Sequence, residues 1–449
     1  MRAAQALAPT PTSSPETATT TRTLRPLLVI AIFLEGCFLA LWKIGTTSAD
    51  VPYYLAIFFA SFAAYGIGAI LVLKGRFAST PRISAFLFVC AFLFRATVLP
   101  LSPSMSEDIY RYIWDGRNQV AGIGPYDYPP GGLQLERMRD YEHYDLINHK
   151  DYKTPYPAGA ETVFHWLAAL APKVIVFKSA FLVFDLLLID VLRRLLKKEG
   201  LSQSMLLIYA WHPLAVVEFA GNGHMDILGI SLLFLSYLLL DSQRILSGAA
   251  LAVASLIKYL PIAAVPWMIK RGGWRFALFG ALVGGALAFQ YYTPDLRMLS
   301  GVFVFYRKWW FNDSLFGVLY QWLGGAESAR VWGSFFVGLT AIYCFAASYS
   351  FYRSLFFIFT SVLLFSPVVH PWYLCWVIPF LCFHPSRPWL FFTGWIAFSY
   401  LIRYLFPGGV WGQVLWLKLL VYVPFYALLL FSILDPHYHP QPVPEPRQS

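Results

Sequence analysis

Residues 106–117 read Ser-Glu-Asp-Ile-Tyr-Arg-Tyr-Ile-Trp-Asp-Gly-Arg, an acidic pair set among aromatics and arginines. They follow an apolar stretch and open a long polar one. A carboxylate of Glu107 or Asp108 at a helix N-terminus can accept a proton from an attacking hydroxyl. The same charges can simply complement the helix dipole. Ser104 or Ser106 suits the capping position. In a helix over 107–121, Ile109, Ile113 and Trp114 share a face that could lie on a membrane. Asp115 and Arg117 can pair or anchor the loop, and Arg117, Arg111 and Tyr112 are also candidate substrate contacts.

Further candidates lie downstream. Gly124–Pro130 and Thr154–Pro157 are rigid aromatic turns, in which Tyr126 or Tyr156 can stack on a sugar ring or serve loop packing. Asn222-Gly-His-Met-Asp226 places His224 two residues before an aspartate. Metal ligation there would need further ligands, so hydrogen bonding to substrate or loop is preferred. Lys258 is a lone cation in an apolar run, a functional candidate or a snorkelling side chain. Arg307 and Lys308, within Tyr306–Asp313, can grip a phosphate or anchor a loop. His370 sits between Pro367 and Pro371, either with a satisfied backbone bond or bearing a proton.

The elements that must position these residues are membrane spans. The chain has 449 residues, of which 58% are hydrophobic, 18% aromatic and 13% charged, with a mean hydropathy of +0.57. Soluble domains are about a quarter charged. Apolar runs of roughly 20 residues imply bilayer-crossing helices, and 16 Trp and 27 Tyr suit interfacial belts. The net charge of +10 does not indicate nucleic acid, because the basic residues cluster between spans. Cys37, Cys90, Cys344, Cys375 and Cys382 lie in apolar segments and read as core residues, without disulfides or a metal site.

Spans are expected near 25–43, 52–73, 83–101, 173–196, 203–220, 226–240, 274–292, 329–351, 354–369, 371–383, 387–405 and 414–434. Residues 1–23 and 435–449 read as Pro-rich or polar disordered tails flanking a single transmembrane domain, 24–434. With the N-terminus in the cytoplasm, Arg193, Arg194, Lys197, Lys198, Arg244, Lys270 and Arg271 fall on the inner side. The large polar segments 102–172 and 293–328 then face outward. Residues 246–269 have basic flanks at both ends, so a hairpin returning to the cytoplasm is favoured over one span. The expected fold is an all-α polytopic bundle of about 12–14 spans, with short interfacial helices in its large external loop.

In this order, Ser106–Arg117, Gly124–Tyr126, Thr154–Pro157, Gly223-His224 with Asp226, Leu256–Pro261 and Ser366–Tyr373 together resemble the GT-C membrane glycosyltransferases. The likeness is to bacterial mannosyltransferase-type members that use polyprenyl-phosphate sugars, and it covers about residues 25–430. Two departures stand out: two spans precede the one leading into the first loop, and Thr154-Pro-Tyr-Pro-Ala lacks a second proline common in relatives. The resemblance implies that an acidic residue of the first large external loop is the catalytic base. That role falls on Asp108, with Glu107 second.

The implied reaction moves a hexose, expected to be mannose, from a polyprenyl-phosphate sugar to a hydroxyl of a lipid-linked or glycan acceptor, with inversion. The leaving phosphate needs fixed cations, for which Arg111, Lys258, Arg307, Lys308 and His370 are candidates. No cofactor is expected, and the implied partners are the lipid-linked donor, the glycan acceptor and membrane lipids. The implied location is a bacterial inner or plasma membrane, with the site facing the periplasm or exterior. A lipid-linked sugar flippase or transporter is the alternative. It would account for the spans and Lys258, but not for the acids and aromatics concentrated in 102–172.

Overall fold

A computed structural model describes residues 15–77, 79–407 and 414–435. The described residues are helical, apart from loops and one parallel bridge between Phe311 and Val368. The architecture is the expected all-α polytopic bundle. α1 (Pro15–Ala40) begins inside the stretch read as an N-terminal tail. Residues 1–14 and 436–449 of the expected tails lie outside the described residues.

α2 (Val51–Leu73) and α3 (Pro81–Val98) deliver the chain to the first large polar segment. That segment carries α4 (Asp108–Val120) and α5 (Ala158–Leu170). Ile109, Ile113 and Trp114 are buried within the protein, the first two in the main core and Trp114 against Leu135, Tyr144 and Ile147 of the same loop, so the apolar face of α4 does not lie on lipid. Gly116 sits against the Phe164 carbonyl and Ala168 of α5. α6 (Val174–Lys198) is 25 residues long but carries Lys178, Asp185 and Asp190 along its apolar length.

By length and composition, six described helices can cross a membrane, or seven if Gln203–Ala210 and Pro213–Gly221, bent by 53°, form one broken span. Other expected crossings are short, charged or broken. α7 (Asp226–Leu239) has 14 residues, about 21 Å at the usual rise, against a hydrocarbon core of about 30 Å. The run 371–383 forms two short 3₁₀ stretches, Pro371–Trp376 and Ile378–Cys382, where Pro371 and Pro379 withhold backbone donors. The run 387–405 likewise divides into a helix, a 3₁₀ stretch and a last helix of five residues.

The segment 246–269 forms a hairpin. α8 (Arg244–Ile257) ends at Lys258, whose backbone is extended. Antiparallel pairing of α7 with α8 brings Ser236 to Ser247. Beyond Lys258 the chain runs back along α7, so that Met268 meets Ser236 and Arg271 pairs with Asp241 at 2.7 Å. Both flanks of the hairpin therefore end beside Asp241, and Lys258 is its tip. The next helix, α9 (Val265–Phe289), is broken at Gly273. Its φ of 69° and ψ of −165° suit only glycine. From there the chain rises again beside α8, with Gly248 against Phe276 and Gly280.

Two buried polar contacts hold the bundle together near the site. Arg95 of α3 donates from Nε to Asp185 of α6 at 2.6 Å and from Nη1 to the Ala210 carbonyl at 2.7 Å. The Tyr209 hydroxyl also donates to Asp185, at 2.6 Å. In the second contact, α10 (Ser300–Lys308) is followed by Trp310 and Asp313. The Asp313 carboxylate receives Trp310 Nε1 at 2.7 Å and pairs with Lys418 of the last helix, Leu415–Leu434, at 2.6 Å. The five cysteines are free, and all but Cys37 are buried.

Candidate active site

A cavity of about 590 Å³ opens between the two polar segments and the tip of the hairpin. Asp108, Glu107, Arg111, Tyr156, Lys258, Lys308 and His370 line it. These come from positions as far apart in sequence as the start of α4, the hairpin tip, the end of α10 and the turn before Pro371. Two backbone hydrogen bonds, Phe311 N–H to Pro367 O and Val369 N–H to Phe311 O, both 2.9 Å, clamp the second segment onto that turn.

Asp108 is the first residue of α4, and its amide donates to the Ser106 hydroxyl at 3.3 Å. Its side chain is 23% exposed, opening onto the cavity. Burial pushes the Asp108 carboxyl above its ordinary value, although His224 and Lys258 pull the other way. A carboxylate with a raised proton affinity is a better base. Glu107 is held differently, by an ion pair of 2.5 Å with Arg403. Of the adjacent acids, one is committed to a tether and the other is open.

The cations have distinct settings. Lys258 Nζ lies 2.8 Å from Asp226 Oδ1 and 4.8 Å above the Tyr373 ring. Trp376 Nε1 donates to the same Asp226 oxygen at 2.6 Å. Arg111 Nε lies 2.9 Å from both Asp115 oxygens, and Nη1 donates to the Tyr152 carbonyl at 3.1 Å. Its buried Nη2 has no hydrogen-bond partner among the described residues. Lys308 Nζ sits 5.2 Å over the Tyr152 ring. His370 is pushed down by burial, and the charges of His224, Lys258 and His149 reinforce this, so its imidazole is held neutral.

Four rings form a continuous stack leading away from the cavity. Phe311 and His370 are 4.8 Å apart, His370 and Trp372 4.2 Å, and Trp372 and His224 4.2 Å. His224 is 1% exposed and lies behind Asp108, with Nδ1 3.9 Å from Asp108 Oδ2 and Nε2 3.3 Å from Glu218 Oε2. Gly223, at φ 77°, lies directly against Ile109 and Lys178. A side chain there would collide with α4, so the glycine lets the turn bring His224 to the base.

Not every expected site residue reaches the cavity. Tyr112 is buried, stacked 4.7 Å from Phe164. Arg117 pairs with Asp140, not with Asp115, and ties α4 to the middle of the loop. The Asp115 partner is Arg111, one helical turn earlier. Arg307 is exposed, and its carbonyl accepts Arg330 Nη2 at 2.8 Å. The sequence reading names Asp226 beside His224 but not its pairing with Lys258, and Trp372, Arg403 and Glu218 escaped it as site residues. Trp372 lies two residues after His370, a candidate that it named. Arg403 and Glu218 carry no local signal. Among the described residues, no three His, Cys, Asp or Glu side chains converge as metal ligands.

A comparison with protein families matches residues 37–271 to the alpha-(1->6)-mannopyranosyltransferase N-terminal domain. Curated proteins yield no match. The matched stretch contains Asp108, Arg111, His224, Asp226 and Lys258, and leaves Lys308 and the His370–Tyr373 wall outside it. With more than half of its length matched, the chain belongs to the alpha-(1->6)-mannopyranosyltransferase family of the GT-C superfamily, membrane glycosyltransferases that move mannose.

Proposed function

We propose that this protein transfers mannose from a polyprenyl-phosphate mannose to a hydroxyl of a glycolipid or glycan acceptor at the outer membrane face, with inversion and with Asp108 as general base. The observation that carries the reading is the cavity itself. It sets an open carboxylate, Asp108, among three cationic side chains, Lys258, Lys308 and Arg111, and walls them with aromatic rings. The family name points to the primary hydroxyl at C6 as the attacking group.

The acceptor oxygen attacks the anomeric carbon while Asp108 takes its proton. The bond from that carbon to the phosphate oxygen breaks, and its electron pair leaves with the phosphate. Developing oxocarbenium character is favoured by the nearby carboxylate, as in inverting glycosidases with an acceptor in place of water. The departing phosphate meets fixed cations without reorganisation. Lys308 is the exposed cation on the cavity wall, and the buried Arg111 Nη2, with no partner among the described residues, is held in reserve behind it. Tyr156 and Tyr373 offer ring faces to the sugar. The outward orientation is supported by Lys198 and Arg271, which gather with Asp241 at the end of α7 opposite Asp226.

The test supplies the purified protein with labelled polyprenyl-phosphate mannose and a panel of mannose-terminated glycolipids. The expected product is one α-linked mannose from a β-linked donor. Transfer from a nucleotide sugar with none from the lipid donor would refute the donor assignment. A β-linked product would refute inversion.

A further inference from the structure

The turn that follows the broken span holds a buried histidine whose position calls for an explanation beyond packing. His224 lies between two carboxylates, Asp108 at 3.9 Å and Glu218 at 3.3 Å, and neither ring nitrogen has a hydrogen-bond partner among the described residues. Leaving both polar atoms of a buried ring unpaired is costly. Glu218 is 0% exposed and, among the described residues, has no lysine or arginine partner. Its oxygens receive the Tyr400 hydroxyl at 2.7 Å and the Asn222 amide at 3.0 Å. Asn222 in turn accepts the backbone amides of Ser104 and Met105, both at 3.2 Å. The column is thus built into the root of the loop that carries Asp108.

We propose that His224 receives from Asp108 the proton removed from the acceptor, and that Glu218 stabilises the imidazolium so formed. The proposal rests on the reading of Asp108 as general base. Transfer first leaves the proton on an Asp108 oxygen. That O–H bond then breaks as a bond forms from the proton to His224 Nδ1, and Asp108 regains its carboxylate. The gap of 3.9 Å closes by a small turn of the Asp108 side chain or through one water. Trp372, stacked on the ring at 17°, offers a π face to the cation. When the products leave, the proton returns through Asp108 to water in the open cavity.

The advantage is specific to this chemistry. A base that stays protonated beside a leaving phosphate can return its proton to the newly formed bond. Moving the proton one group deeper separates it from the reacting atoms. The charged and titratable groups around His224 are Asp108 on α4, Glu218 before the turn, Asp226 at the start of α7, Lys258 and His370 across the cavity, and Lys178 of α6 behind Gly223. Asp108 and Glu218 lie nearest the ring, at 3.9 and 3.3 Å, whereas Lys258 and His370 lie beyond them.

The experiment is the pH profile of kcat/KM for the full-length enzyme in lipid, using the labelled lipid donor. Wild-type activity is expected to fall on the acid side, because a ring that already carries a proton on Nδ1 cannot take another from Asp108. In His224→Gln the plateau drops about tenfold, and the acid limb moves down towards carboxylate values. In Glu218→Gln, which keeps the contacts to Tyr400 and Asn222, the limb moves to lower pH with a smaller drop. Wild-type activity that stays flat down to pH 5 overturns the proposal. So does a His224→Gln or Glu218→Gln profile that is lowered but not displaced, which a merely structural role would give. Failure of the base reading is separate: it appears as full activity in Asp108→Asn, whatever the His224 profile.

Discussion

Two buried charge clusters in this molecule look alike on paper and differ in one respect. Around Arg95 and Asp185, inside the bundle, the guanidinium has Asp185, Ala91 and Ala210 as acceptors, and the carboxylate also has Tyr209. Both side chains are 0% exposed. Around Asp108 the carboxylate opens to a cavity, and among the described residues both His224 nitrogens, Asp226 Oδ2 and Arg111 Nη2 have no hydrogen-bond partner. A satisfied cluster joins helices. An unsatisfied one, facing a cavity, keeps its hydrogen-bonding capacity for a substrate. The difference separates fold from function more cleanly than burial or charge does.

The comparison breaks first at its structural member. Asp185→Ala leaves the buried Arg95 charge uncompensated and should cost about 3–5 kcal/mol of stability, read as a lower thermal midpoint in detergent. Adding Arg95→Met should recover most of that loss. If Asp185→Ala folds like the wild type, satisfaction is not what this cluster contributes.

At the open cluster the sign reverses. Asp108→Asn should keep the thermal midpoint and lower turnover by about 10²-fold or more. Glu107→Gln should change turnover by only a few fold, because its partner is Arg403 and not the substrate. An Asp108→Asn protein that unfolds would place Asp108 with Asp185.

The cations come next. Lys258→Gln and Lys308→Gln should each lower kcat/KM for the lipid donor by about 10–10²-fold, the size expected when a charged hydrogen bond is lost. Arg307→Gln should do little, because Arg307 does not line the cavity. Donor kinetics on the three variants sharpen the assignment, and equal effects at 307 and 308 would remove the cavity as the reason.

The smallest effect concerns the loop anchor Arg117–Asp140. Burial raises the Asp140 carboxyl, but the Tyr144 and His143 amides, the His143 ring and Arg117 outweigh it and hold the group at about 2, against an ordinary 3.8. A depressed value means that the anchor is intact above 3.8 and is lost as pH falls towards 2. Limited proteolysis by an acid protease should nick residues 121–157 increasingly over that window, and no change there would discount the anchor.

Much of this was legible in the residues. Basic flanks on both sides of 246–269 forecast a hairpin, and the acidic pair forecast the start of α4, although its N-cap is Glu107 and not the expected serine. Other features depend on partners far along the chain. An apolar face reads the same whether it meets lipid or protein, so the burial of Ile109 in the core and of Trp114 against Leu135 and Ile147 could not be foreseen. Arg307 and Lys308 are adjacent, and the roughly 100° between successive helical side chains decides which enters the cavity. Tyr400 reaches Glu218 across 182 residues, with no periodicity to announce it. The run 371–383 is apolar enough to suggest a span, yet its prolines and its tight packing against Phe234 and Phe359 turn it into 3₁₀ stretches.

The four-ring stack has an optical consequence. Trp372 is sandwiched between two imidazoles, each 4.2 Å away. An imidazolium withdraws an electron from an excited indole far better than a neutral imidazole does. The fluorescence of Trp372 should therefore dim whenever a proton sits on either neighbour. In a variant with the other tryptophans replaced, the site would carry its own lamp, whose brightness follows the proton through a catalytic cycle in real time.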